Sequence, residues 1–216
     1  MQAILLLTVS LCLAAGSLAK EPHPCKSPPL LEGSLALAIL KEKTFGVERF
    51  AYNAFDERVH VRVLLDIDNK TIYSDTLILY KEGIAFEIFR HNQTCKKVPF
   101  KDHWKPVEIP KDAKFQSQVI IGSFSAPGDG LLVNNWSGEV AESPVKYLIT
   151  FTEFGCLPVH GWYDMPDQTL LSMSFYDIVI GVEDPDIFIP PSFCDKVELN
   201  SDRETTSLFD ALMRSL

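Results

Sequence analysis

The sequence predicts an all-β protein, built either as two packed antiparallel sheets or as one strongly curved half-barrel, with a closed barrel as the alternative. Three observations carry this. Apolar and polar residues alternate at period two in one segment after another, one hairpin is spelled out together with its turn, and helical spacing of apolar residues is confined to the end of the chain.

The first nineteen residues, MQAILLLTVSLCLAAGSLA, hold no charge and end in the small residues Ser17 and Ala19. They read as a secretory signal peptide cut before Lys20, too short in its apolar core for a membrane span, and no later stretch is long and apolar enough to cross a bilayer. Residues 20–216 contain no internal repeat or Ser/Gly linker and are expected to form one β domain.

Within it, SLALAIL (34–40) points Leu35, Leu37 and Ile39 to one side, and RFAYNAF (49–55) is a further strand. VHVRVLL (59–65) sets Val59, Val61, Val63 and Leu65 against His60 and Arg62, the pattern of a half-buried strand. TLILYKEGIAFEIF (76–89) is a hairpin whose loop is Lys81, Glu82 and Gly83, with the glycine free to take the left-handed conformation such a loop needs. FQSQVIIGSF (115–124), LLVNNW (131–136), VKYLITFTEF (145–154) and LSMSFYDIVIGV (171–182) complete some nine strands, separated by turns such as PGDG at 127–130. The tail predicts a short C-terminal helix: Ser201 and Glu204 form a capping-box pattern, and Leu208, Phe209, Leu212, Met213 and Leu216 follow at helical spacing.

A net charge of -9 argues against nucleic acid and anionic headgroups as electrostatic partners. With Cys12 lost in the leader, Cys25, Cys95, Cys156 and Cys194 remain. In an oxidising compartment they imply two disulfides, and their spacing leaves all three connectivities open. Sequons at Asn69 (NKT), Asn92 (NQT) and Asn135 (NWS) mark candidate glycosylated surface loops.

Enzyme signatures do not appear: there is no GxSxG, no HExxH, no phosphate-cradling glycine loop and no Cys/His neighbourhood, and the five histidines are scattered singly. No catalytic residue is therefore predicted. The acids of GVEDPDIFIPPSFC (181–194) are the one cluster near irregular backbone. Glu183, Asp184 and Asp186 are candidate calcium ligands, with a solvated acidic turn as the plainer reading. Fourteen Phe, six Tyr and three Trp supply two-sided apolar runs such as TLILY and DIVIGV, which suit either a filled core or a cavity for a lipophilic ligand.

Several separated motifs carry a family resemblance: PC at 24–25 followed by PPLLEG, LYKEG at 79–83 with AFEI, NQTC, HWKPVEIP, FGCLPV around Cys156, and FYDIVIGVEDPDIFIPPSFC. Together, in order along nearly the whole mature chain, they resemble ependymin and the ependymin-related proteins. The resemblance implies two antiparallel sheets curved around a deep hydrophobic pocket, a half-barrel sandwich similar to bacterial lipoprotein carriers of the LolA and LolB type. It also implies a secreted or lysosomal-lumen glycoprotein, calcium association, homodimers, and a role in binding lipids or other hydrophobic molecules.

By the family's pattern, Cys25 pairs with Cys156 and Cys95 with Cys194. A third bridge found in some relatives is absent, since IYSDTLILY holds no cysteine and none follows Cys194. On this reading Leu77, Leu79, Phe86, Ile88, Tyr147, Ile149, Phe151, Met173 and Phe175 line the concave, ligand-holding face. The alternative function is an extracellular contact protein, neural or regenerative in role, that engages cells or matrix in a calcium-dependent way and carries no cargo.

Overall fold

The computed structural model describes residues 21–41, 43–67, 70–140 and 143–200. The leader at 1–19, the sequon residue Asn69 and the helix expected from Ser201 onward lie outside them.

The chain folds as two antiparallel meanders. The first comprises β1 (Leu30–Ile39), β2 (Thr44–Asn53), β3 (Arg58–Ile67), β4 (Lys70–Leu79), β5 (Ile84–Phe89) and β6 (Thr94–Pro99). The second comprises β7 (Lys114–Gly122), β8 (Gly130–Glu139), β9 (Lys146–Thr152), β10 (Pro158–Asp164) and β11 (Leu170–Ile180). Of the two forms expected, packed sheets or a curved half-barrel, the second is found: β1 pairs with β11, fusing the meanders into one 11-stranded antiparallel sheet in the order β6-β5-β4-β3-β2-β1-β11-β10-β9-β8-β7. Its edges, β6 and β7, do not pair with each other, so the sheet is an open half-barrel.

Most strands lie where alternation predicts them. The hairpin turns at Gly83, which sits at φ 65 with its N–H donated to the Tyr80 carbonyl. Two strands, β6 and β10, were not legible. TCKKVP has two lysines and a proline, and PVHGWYD opens on proline and contains glycine, so neither alternates in hydrophobicity.

Register sorts the side chains to two faces, because cross-strand partners share a face. The inner face carries Leu37, Ile39, Val61, Val63 and Leu171 in one cluster, and Trp136, Tyr147, Ile149 and Phe151 in another. Tyr163 packs against both and joins the arms. Residues 100–113 run from the β6 edge to the β7 edge and pack against both arms: Trp104 stacks on Tyr52, and Ile109 is buried with Trp136 and Cys156. There the Cys25–Cys156 disulfide, with Cα atoms 6.1 Å apart, ties the N-terminal segment to the β9–β10 turn.

The outer face is covered in part by a strap formed from residues 181–194. Gly181, at φ 109, turns the chain off β11, and its N–H is donated to the Leu30 carbonyl. Asp184 precedes Pro185 in extended backbone, as the steric rule for a pre-proline residue requires. Two short 3-10 turns follow, Pro185–Phe188 and Ser192–Cys194. Phe188 and Cys194 then bury against Ala51, Leu77, Leu79, Phe86 and Ile88, and the Cys95–Cys194 disulfide pins the strap to β6. Both cysteine pairings are those the resemblance implies.

Candidate functional site

The site is a cleft of about 570 Å³ between the outer face of β1–β5 and the strap. That volume is in the range of small-molecule sites. Its floor is set by one cross-strand row, Ser34–Arg49–Arg62–Asp75, which runs across β1, β2, β3 and β4. Asp75 is fully buried and central. It accepts from His60 Nε2 at 2.7 Å and from Arg90 Nε at 2.6 Å, and Arg62 Nε lies 3.6 Å away. Burial opposes ionisation of Asp75, but the bonds and charges of His60 and Arg90 outweigh it and hold the carboxyl below its usual range.

Because Asp75 takes Arg90 by Nε, the terminal nitrogens of that guanidinium are left for the cleft. Arg49 makes no ion pair or hydrogen bond among the described residues, and the terminal nitrogens of Arg62 have no partner there either.

The rim is acidic. Asp177 occupies a β-bulge, two residues of β11 facing one of β1 between the pairs Glu32–Val179 and Ser34–Tyr176, and sits at φ 51. Opposite it, a Cβ on Gly33 would lie 3.0 Å from the Tyr176 carbonyl, so any other residue would crowd the bulge there. Glu32 accepts from the Glu183 N–H at 3.2 Å, and Asp184 Oδ1 caps the first 3-10 turn by accepting from the Asp186 N–H at 3.1 Å. The apolar part of the wall comes from Ile88, Val179, Ile187, Ile189 and Pro191.

The residues expected to line one concave surface are divided between the faces. Leu77, Leu79, Phe86 and Ile88 are on the outer face, sealed under the strap, and of these Ile88 reaches the cleft. Tyr147, Ile149 and Phe151 are on the inner face of the second arm, and Met173 and Phe175 are at the inner junction, where Phe175 meets Phe50 edge to face. This corrects the single lining. Period-two alternation gives the face within one strand, but which faces of distant strands meet depends on the β1–β11 pairing and on the path of the strap.

Glu183, Asp184 and Asp186 all border the cleft, yet they do not converge as a cage. Among the described residues no three His, Cys, Asp or Glu side chains are grouped to hold a metal. Asn92 is exposed in the β5–β6 turn and accepts from Thr94 Oγ1 at 2.7 Å. Asn135 is not in a loop as expected. It lies within β8, donating to Ser117 Oγ at 3.0 Å and accepting from Thr150 Oγ1 at 2.7 Å.

Sequence reasoning missed Asp75, Arg49, Arg62 and Arg90 as a group. His60 and Arg62 were visible as polar positions of a strand, but the acid that gathers them comes from β4 and the third guanidinium from beyond β5.

Past the strap the outer face is bare. Val47, Leu64 and Tyr73 form one cross-strand row and are 58%, 51% and 53% exposed. Among the described residues no helix is long and apolar enough to cross a membrane.

An open antiparallel half-barrel with a strapped outer cleft defines the class of protein by shape. The same fold occurs in an uncharacterized conserved protein from Thermus thermophilus, at a TM-score of 0.50 and 8% identity, covering 83% of this chain and 91% of that one. The particular family comes from sequence. The Ependymin family model matches residues 68–194. Ependymin-2 of Carassius auratus is 33% identical over 207 residues, covering 95% of this chain and 96% of that protein. The mammalian ependymin-related protein 1 of Rattus norvegicus is 30% identical over 191 residues, covering 87% and 83%. The chain belongs to the ependymin family.

Proposed function

We propose that this protein is an extracellular carrier of lipids or other hydrophobic small molecules, and that it holds them in the cleft between the outer face of the half-barrel and the strap. One observation carries the reading. The cleft combines a wall of Ile88, Val179, Ile187, Ile189 and Pro191 with charged groups left without partners, which is the lining an amphiphile needs. The leader, the sequon at the exposed Asn92 and the two disulfides support secretion. A lysosomal destination belongs to the same proposal.

Delipidated protein is expected to bind a fluorescent fatty-acid or phospholipid probe saturably. Absence of saturable binding by material with native circular dichroism contradicts the reading.

The bare row of Val47, Leu64 and Tyr73 favours a second reading, a contact surface for a second copy or for extracellular matrix. Sedimentation of the wild type and of Leu64→Lys separates the two partners: a dimer lost on substitution supports self-association, and an unchanged monomer removes it. Calcium association is proposed alongside, with the rim acids or the glycans as ligands. Calorimetry before and after enzymatic deglycosylation assigns it, and loss of binding on deglycosylation excludes the rim.

A further inference from the structure

We propose that the cleft recognises a zwitterionic phosphate ester, a phosphodiester bearing an ammonium group, with the phosphate on Arg49, Arg62 and Arg90 and the ammonium against Asp177, Glu183 and Asp186. The inference rests on the carrier reading and names the head of its cargo.

Charge segregation is the first support. The floor presents two guanidinium groups, Arg62 and Arg90, on one buried carboxylate, with Arg49 next to Arg62 in the same row, while the strap and the bulge present carboxylates, and no ion pair joins the two sets among the described residues. Opposite charges on the two walls of a narrow cleft attract each other, so holding them apart needs a scaffold. Each side has one. Arg90 is fixed from below through Nε to Asp75, and a guanidinium held at Nε turns its planar fork outward in the geometry that suits phosphate; Arg62 pairs with the same carboxylate at 3.6 Å, and Arg49 stands next to Arg62 in the cross-strand row. The acids are fixed by main chain. Asp177 rides on the bulge at φ 51, and the strap acids are set by the Glu183 N–H bond to Glu32 and by the Asp184 cap. The side chains of Asp177, Glu183 and Asp186 have no partner of their own among the described residues.

The second support is the total. Glu32, Asp177, Glu183, Asp184 and Asp186 border the cleft, against three arginines and Asp75 at its floor, within a chain of net charge -9. A simple anion meets a repulsive field on its way to the floor. A dipolar head does not, because its cation faces the rim. The apolar wall formed by Ile187, Ile189 and Pro191 on the strap side then takes the start of an acyl chain.

The test is calorimetry with medium-chain lysolipids held below their micelle concentrations. Lysophosphatidylethanolamine, which has phosphate and ammonium, is compared with lysophosphatidic acid, which has phosphate alone, and monoacylglycerol, which has neither. The zwitterion is expected to bind about tenfold or more tighter than either, the ratio for one or two charge-assisted hydrogen bonds. Arg49→Gln with Arg62→Gln removes its advantage over monoacylglycerol. Glu183→Gln with Asp186→Asn removes its advantage over lysophosphatidic acid. All four positions reach solvent, so the folded state survives these changes, and the melting transition checks that.

Equal affinity for all three lipids overturns the head-group assignment and leaves the carrier reading standing. Tightest binding of lysophosphatidic acid overturns the part given to the acids. No binding of any lipid overturns both readings. Soluble phosphoethanolamine binding as tightly as its lysolipid supports the chemistry and assigns it to a free metabolite in place of a lipid.

Discussion

Glu48 on β2 and Asp75 on β4 are both buried acids of the same sheet, and the two faces treat them in opposite ways. Glu48 stands in register with Leu35 and Val63, and through Val63 with Ser74, so it is on the inner face, while Asp75, the next residue of β4, points outward. Glu48 is 3% exposed, its Oε1 has no hydrogen-bond partner, and burial pushes its carboxyl up to about 7. Asp75 is 2% exposed and is bound by His60 and Arg90, which keep it ionised. The inner face is core, where a charge has no provision. The outer face under the strap is built around one, and the arginines it gathers are still open to solvent. That difference places ligand chemistry on the outer face.

The strongest way to break the comparison is to release the strap. Cys95→Ser with Cys194→Ser opens a loop of sequence separation 99, which the chain-entropy model values at about 4 to 5 kcal/mol. Urea unfolding is expected to show that loss together with loss of probe binding, while the pH behaviour due to Glu48 persists.

Asp75→Ala comes next. Removing one member of a buried ionic group costs about 3 to 5 kcal/mol, here toward the low end because Arg62 and Arg90 reach water. The urea midpoint at neutral pH measures it.

The pH profile separates the two acids without mutation. Glu48 has a folded pKa above its ordinary 4.5, so the folded state holds the proton longer. Its contribution is full below about pH 4.5 and is lost as pH rises through 7, a fall in stability of up to about 3 kcal/mol. Asp75 has a folded pKa below its ordinary 3.8, so its contribution is present above that pH and is lost as pH falls below it. Glu48→Gln is expected to flatten the first slope and leave the acid limb unchanged. A slope between pH 4.5 and 7 that survives this substitution contradicts the assignment.

The smallest effect belongs to the strap itself. Asp184→Ala removes the acceptor of the Asp186 N–H, a capping loss of about 1 kcal/mol or less, detectable as a small drop in melting temperature.

Sequence alone carried the strand-rich character and most strand positions, because alternation such as Val59, Val61, Val63 and the Gly83 turn are local signals. It carried the path of GVEDPDIFIPPSFC out of the sheet, since the glycine and prolines fix backbone. The disulfide pairing came from resemblance, not from spacing. The β1–β11 junction, the arginine cluster on Asp75 and the isolation of Glu48 were not legible. Each depends on residues far apart in the chain, and neither Asp75 in IYSDTLILY nor Glu48 in GVERF differs in pattern from a solvent-facing strand position.

The central claim, that the ligand sits outside the sheet and beneath the strap, is tested most directly by filling that cleft. Ser34 borders it in the row of Arg49 and Arg62, and the added bulk of Ser34→Trp occupies the space without touching the inner face. The account predicts that this variant, with a native melting transition, loses saturable binding of the fluorescent lipid probe. Probe binding at wild-type affinity would contradict it and return the ligand to the inner face.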